Sequence, residues 1–226
     1  MHSYASQLKV LFTRNANPKL APAMERYMRD QFEYLGIKSP KLAALLREHT
    51  REHGLPPPAD LDRIVRDLWA LPAREFQYAA TSLLGKLETK LPAASIRTME
   101  FVMVTKSWWD TVDSVCTGTL AVHFRRHPKV KEKYLAKWRK SKNFWLRRAT
   151  ILFQLNYKQD TDFPLLCEIL RENLGSREFF INKAIGWALR QYSHVDAPAV
   201  RKFVAQTTLH PLSRREALKW LEQRSL

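Results

Sequence analysis

The sequence predicts an all-α protein, and three observations carry that prediction. Only six glycines occur in 226 residues, and no run of alternating apolar and polar residues reads as a strand. Apolar residues instead recur at helical spacing, as in Leu61, Ile64, Val65 and Leu68 and in Leu165, Leu166, Ile169 and Leu170. Finally, Pro22, Pro56, Pro92, Pro128, Pro164 and Pro198 follow one another at intervals of 34, 36, 36, 36 and 34 residues. Proline is tolerated in the first turn of a helix and disfavoured inside it, so a regular proline marks a recurring helix start. A period of this length holds two helices and two turns. It predicts a curved HEAT-like helical-repeat solenoid of about six antiparallel helix pairs, forming one domain over residues 1–226.

Taken in order, helices are expected at 3–15, 19–34 (carrying Pro22), 40–53, 60–70 and 73–88. The run Pro56-Pro57-Pro58 before the fourth is short and rigid, a turn within the array and not a domain linker. Next come 93–105, opened by Pro92, and 108–126, which begins at the Trp-rich stretch. After them lie 129–140 behind Pro128, 143–156, 162–174 around Pro164, 177–192, 197–207 around Pro198, and 212–224.

The charge balance, 38 Lys and Arg against 22 Asp and Glu with net charge +16 and pI about 10.1, makes a polyanion the expected partner. That polyanion is a nucleic acid or an anionic membrane. No apolar run approaches the length of a membrane span, and Met1-His2-Ser3-Tyr4-Ala5 has no signal-peptide pattern, so a soluble, cytoplasmic protein is expected. Cys116 and Cys167 sit in apolar helical patterns without CxxC spacing and read as small buried hydrophobes. His49/His53 and His123/His127 have the i, i+4 spacing of a helical metal site but no third ligand, so no metal and no cofactor are expected.

The stretch Lys106 to Ser114 places Trp109 and Asp113 four residues apart, on one face of a helix. A carboxylate beside an aromatic plate suits a site that holds a flat cationic group. Taken alone, it better suits a core tryptophan next to a capping or paired aspartate. The repeat adds weight to the first reading. Asp113 plus 35 is Arg148, Arg148 plus 35 is Lys183, and Trp187 lies four residues beyond Lys183. Equivalent positions in stacked repeats share one surface, so Trp109, Asp113, Arg148, Lys183 and Trp187 are expected on one stripe, on the inner face. Basic residues crowd around it, among them Lys137, Arg139, Lys140, Lys142, Arg147, Arg190, Arg214, Arg215 and Lys219. Singly each reads as a solvated charge, whereas together they fit a nucleic-acid backbone.

The words Val104–Ser114, Ala149–Leu155, Glu178–Trp187 and Pro211–Ala217, with Arg26-Tyr27-Met28 and Leu35-Gly36-Ile37, resemble the AlkD-type DNA glycosylases of alkylation repair, over nearly the whole chain. The resemblance implies a monofunctional enzyme that hydrolyses the N-glycosidic bond of cationic purines in duplex DNA. N3-methyladenine, N7-methylguanine and bulkier adducts would be its substrates, as a step of base excision repair. It implies Asp113 as the catalytic carboxylate, Trp109 and Trp187 as plates against the sugar, and Arg148 as a grip on a backbone phosphate. DNA contacts are expected from Lys183, Arg190, Lys106, Arg147, Arg214, Arg215, Tyr27 and Lys38. Lys38 departs from the family pattern, which has glutamine near the lesion-facing groove. A monomer without a lyase step is expected. The alternatives are a non-catalytic nucleic-acid-binding helical-repeat protein, in which Asp113 merely pairs with Arg148, and a protein-binding scaffold anchored by tryptophans, which the positive charge disfavours.

Overall fold

The structure, a computed structural model, describes residues 1–223. Among them no strand occurs, and no helix is long and apolar enough to cross a membrane. The chain divides into two compact units, Met1–Thr98 and the residues from Met99 onward.

The first unit contains α1 (Ser3–Arg14), α2 (Ala21–Tyr27), α3 (Ser39–His53), α4 (Leu61–Ala70) and α5 (Arg74–Lys86). The expected periodicity of α4 is realised directly: Leu61, Ile64, Val65, Leu68 and Trp69 are all buried, on a stripe that packs against α1 and α5. The helix expected over 19–34 is wrong in its second half, since α2 stops at Tyr27. Arg29 and Asp30 take positive φ, and the segment that follows is held by tertiary bonds in place of helical ones. Buried Glu75 of α5 accepts from the amides of Leu35 and Ile37, both at 3.0 Å, and Glu25 accepts from that of Tyr34 at 3.2 Å. Gly36, at φ 79°, passes so close to the carbonyl of Asn17 that a Cβ would lie 2.1 Å from its oxygen.

A 3-10 turn at Ala93–Ser95 leads into α6 (Ile96–Val104). The second unit continues with α7 (Trp109–Thr117), α8 (Thr119–Arg126), α9 (Pro128–Arg139), α10 (Phe144–Leu152), α11 (Phe163–Glu172), α12 (Phe179–Tyr192), α13 (Ala197–Gln206) and α14 (Pro211–Glu222). The single helix expected over 108–126 is broken at Gly118, whose ψ of −99° lies outside the helical range. The helix expected over 143–156 ends at Leu152, and the end expected at 224 falls outside the described residues. Pro22, Pro128, Pro164 and Pro198 occupy the first or second helical position of α2, α9, α11 and α13. Pro92 caps the 3-10 turn, and Pro56 lies in the irregular segment before α4.

Side-chain caps set several starts in this unit. Asn143, Asp162, Asp196 and His210 each accept an amide of the first turn that follows, at 2.9 to 3.1 Å. Within the unit α7 packs on α10, α10 on α12, and α12 on α14. This succession brings helices one repeat apart into contact.

Candidate active site

The site is built at the N-terminal ends of α7, α10 and α12. Between α6 and α7 the chain turns tightly. Lys106 takes φ 47°, while the hydroxyls of Thr105 and Ser107 donate back to the carbonyls of Phe101 and Met103. The turn delivers Trp108 to the cap position of α7 and Trp109 to its first residue. The ring of Trp108 packs on Trp145 and Phe180, with centroids 6.2 and 5.2 Å away, and Trp145 packs on Phe180 at 4.9 Å. Trp145 and Phe180 are the second residues of α10 and α12, so one aromatic cluster clamps three helix starts together.

Asp113, one turn into α7, lies against Arg148, one turn into α10. The Arg148 Nε and Nη2 groups donate to the two carboxylate oxygens, both at 2.7 Å, and Nη1 donates to the carbonyl of Phe180. The Arg148 residue is 2% exposed, whereas the Asp113 side chain keeps 14% of its surface open. Burial pushes the Asp113 carboxyl above the ordinary aspartate range. The hydrogen bonds and charge of Arg148 oppose this rise, and the neighbouring charge of Asp110 adds to it.

The structure thus brings Asp113 and Arg148 together, but not in the arrangement expected for a phosphate grip. Such a grip asks for exposed N–H groups, whereas these are directed inward. Trp109 and Trp187 are both half-buried, Trp109 one turn before Asp113 and Trp187 one turn after Lys183.

Two of the cations expected on DNA share a partner. Lys183 lies 2.7 Å from Glu216 of α14, and Arg190 donates to the same carboxylate. The Lys183 hydrogen bond in the first place, and then Arg190, hold the Glu216 carboxyl below the usual range despite its burial. Arg147 donates to the Ser141 carbonyl at 2.6 Å and Arg214 to that of Val204 at 3.4 Å. Lys106 and Arg215 are exposed. In the first unit Tyr27, 73% exposed, ends α2, and exposed Lys38 occupies the cap position of α3. Of the other basic residues, Lys137 pairs with Glu100, and Arg139 with Glu168 and Glu172.

Sequence reasoning missed Glu216, Phe180 and the Trp108–Trp145 contact, although the repeat points to all three. Trp108, Trp145 and Phe180 follow one another at 37 and 35 residues, and Glu216 stands 33 beyond Lys183.

The family model for the DNA alkylation repair enzyme matches residues 8–221. No curated protein matches the chain. Among solved structures, a predicted DNA alkylation repair enzyme from Enterococcus faecalis is similar at 30% identity with a TM-score of 0.84, covering 91% of this chain and 96% of its own. The matched span takes in α7, α10 and α12 entire, with the Asp113–Arg148 pair at its centre, and on that footing the chain belongs to the DNA alkylation repair enzyme family.

Proposed function

We infer from its family membership that the chain acts in DNA alkylation repair, with DNA as the substrate class. We propose that it is a monofunctional glycosylase that hydrolyses the N-glycosidic bond of cationic alkylated purines, such as N3-methyladenine and N7-methylguanine, in duplex DNA, and that it acts as a monomer. The observation that carries this reading is the largely buried Asp113 carboxylate held by both oxygens on Arg148, one helical turn from Trp109.

The chemistry needs little more. A purine alkylated at N3 or N7 already bears positive charge and departs neutral, so no general acid is required. As the bond breaks, charge builds on the deoxyribose, where a fixed carboxylate stabilises it and orients the attacking water. A carboxylate has about four lone-pair sites, and Arg148 takes two, which leaves one on each oxygen for water or sugar. In this reading Arg148 orients Asp113, and Trp109 and Trp187 offer ring faces to the cationic sugar. Lys183, Arg190, Lys106, Arg147, Arg214, Arg215, Tyr27 and Lys38 contact the duplex.

Repair by methyl transfer to a thiolate is disfavoured by the cysteines themselves. Burial pushes the Cys116 thiol well up and that of Cys167 up to about 11, which leaves neither a ready nucleophile.

The Asp113–Arg148 pair also fits a second reading, a nucleic-acid-binding protein in which Asp113 serves only to neutralise a buried arginine. Incubation with duplex carrying N7-methylguanine separates the two. The glycosylase releases free base and leaves an abasic strand uncut until alkali is added. Salt-dependent binding without base release refutes the proposal and supports the second reading.

A further inference from the structure

The bond from Arg148 to the carbonyl of Phe180 ties the Asp113–Arg148 pair to the first turn of α12, and through that turn to α14. Phe180 lies in the first turn of α12, and that turn is fixed by an unusual set of buried polar groups. Asn182, 2% exposed, donates through Nδ2 to the carbonyls of Ser176 at 2.8 Å and Glu178 at 3.2 Å, binding the preceding loop to the helix start. Fully buried Ser213, in the first turn of α14, donates through its hydroxyl to the main-chain carbonyl of Asn182 at 2.8 Å. Helix α14 comes this close because residue 186 is glycine. A Cβ there would lie 2.4 Å from Glu216 Cβ and 2.8 Å from the Ser213 carbonyl oxygen.

An alanine at 213 would pack as well as serine without placing a hydroxyl where it has to be satisfied. The hydroxyl is instead spent on a helix start two residues from the Arg148 acceptor.

We propose that Ser213 and Asn182 are positioning residues: they hold the first turn of α12 so that the Phe180 carbonyl fixes Arg148, and Arg148 fixes the Asp113 carboxylate in the orientation that excision requires. The proposal rests on the glycosylase reading for its consequence, though the chain of contacts stands without it. Both residues are buried, Asn182 at 2% and Ser213 at 0% exposure.

The test uses Ser213→Ala and Asn182→Asp in the full chain. The first removes one hydroxyl. The second keeps the volume but turns both Nδ2 donors into an acceptor facing two carbonyls. Ionisable groups acting on Asp113 are Arg148 of α10 and Asp110 of its own helix, with the Cys116 thiol nearby. When Arg148 is less firmly placed, Asp113 protonates more readily.

Each variant is therefore expected to release N7-methylguanine about five- to tenfold more slowly at neutral pH in single turnover, with duplex affinity unchanged. The acid limb of the rate profile should also move to higher pH. A purely structural role would depress the rate equally at every pH and leave the limb in place, and that result overturns the proposal.

Independently of activity, the carboxyl signal of Asp113 in carbon-13-labelled protein, assigned by its absence in Asp113→Asn, should titrate at higher pH in both variants. An unmoved titration overturns the proposal. A moved titration in a protein that releases no base supports the contact chain and refutes the glycosylase reading. Should Asn182→Asp not fold, Ser213→Ala carries both measurements.

Discussion

Replacing Arg148 by Met tests the energetics of the site most severely. The wild-type side chain makes two 2.7 Å bonds to Asp113 and a third to the Phe180 carbonyl, from a residue 2% exposed. Met fills similar volume but leaves a carboxylate with 14% exposure facing no positive charge. Removing one partner of a buried pair costs about 3–5 kcal/mol, because the remaining charge is uncompensated. For a chain of this size that corresponds to a fall in Tm of roughly 6–20 °C. The same reasoning makes the loss recoverable. Adding Asp113→Leu removes the stranded charge, and apolar replacement of a whole buried pair is often neutral. The double variant should therefore regain most of the stability. It should lack only the Phe180 hydrogen bond, about 1 kcal/mol. Thermal and urea unfolding of the two singles and the double complete the cycle. A single variant that melts with the wild type, or a double no more stable than the two losses added together, would refute this account.

Three further outcomes follow from particular contacts. Gly186→Ala should destabilise by about 1–3 kcal/mol, measured by urea unfolding, since the new Cβ meets Ser213 and Glu216 at distances only a shift of α14 relieves. Glu216→Gln releases Lys183 and Arg190 from their shared carboxylate. Duplex affinity measured by fluorescence anisotropy should rise, with the dependence on log salt steeper by about one to two. Acidification should separate activity from folding. The raised Asp113 carboxyl is protonated before ordinary aspartates, and a group whose pKa rises on folding loses no stability when it takes up its proton. Glu216 has the opposite sign: its contribution is present above its unfolded pKa and lost only as pH falls through the depressed folded value. Base release should therefore fail at a pH where near-ultraviolet circular dichroism still reports the folded chain.

Helical periodicity was legible wherever one face of a helix meets the core. The stripe from Leu61 to Leu68 is an example, because burying apolar side chains and forming the helix reinforce each other. The end of α2 was not legible. The residues from Arg29 to Ile37 are straightened by Glu25 and Glu75, and nothing local marks a glutamate inside α5 as a buried acceptor of amides. At the candidate site the repeat arithmetic aligned Asp113 with Arg148, and contact between adjacent helices turned that alignment into an ion pair. The inward aim of Arg148 was hidden for a different reason. Its third acceptor is the backbone of Phe180, and a carbonyl has no signature in sequence. Net charge pointed to a polyanion. It could not show that Lys183 and Arg190 already share Glu216, since pairing depends on where α14 packs.

The central claim is that the Asp113 carboxylate performs the excision, and Asp113→Asn tests it most directly. The substitution preserves shape and an acceptor for Arg148 while removing the charge that stabilises the developing sugar cation. Single-turnover release of N7-methylguanine from duplex DNA, measured beside duplex affinity, is the assay. The account predicts a rate lower by roughly 100-fold or more, with DNA bound as tightly as before or tighter. Release at the wild-type rate by the folded variant would contradict it.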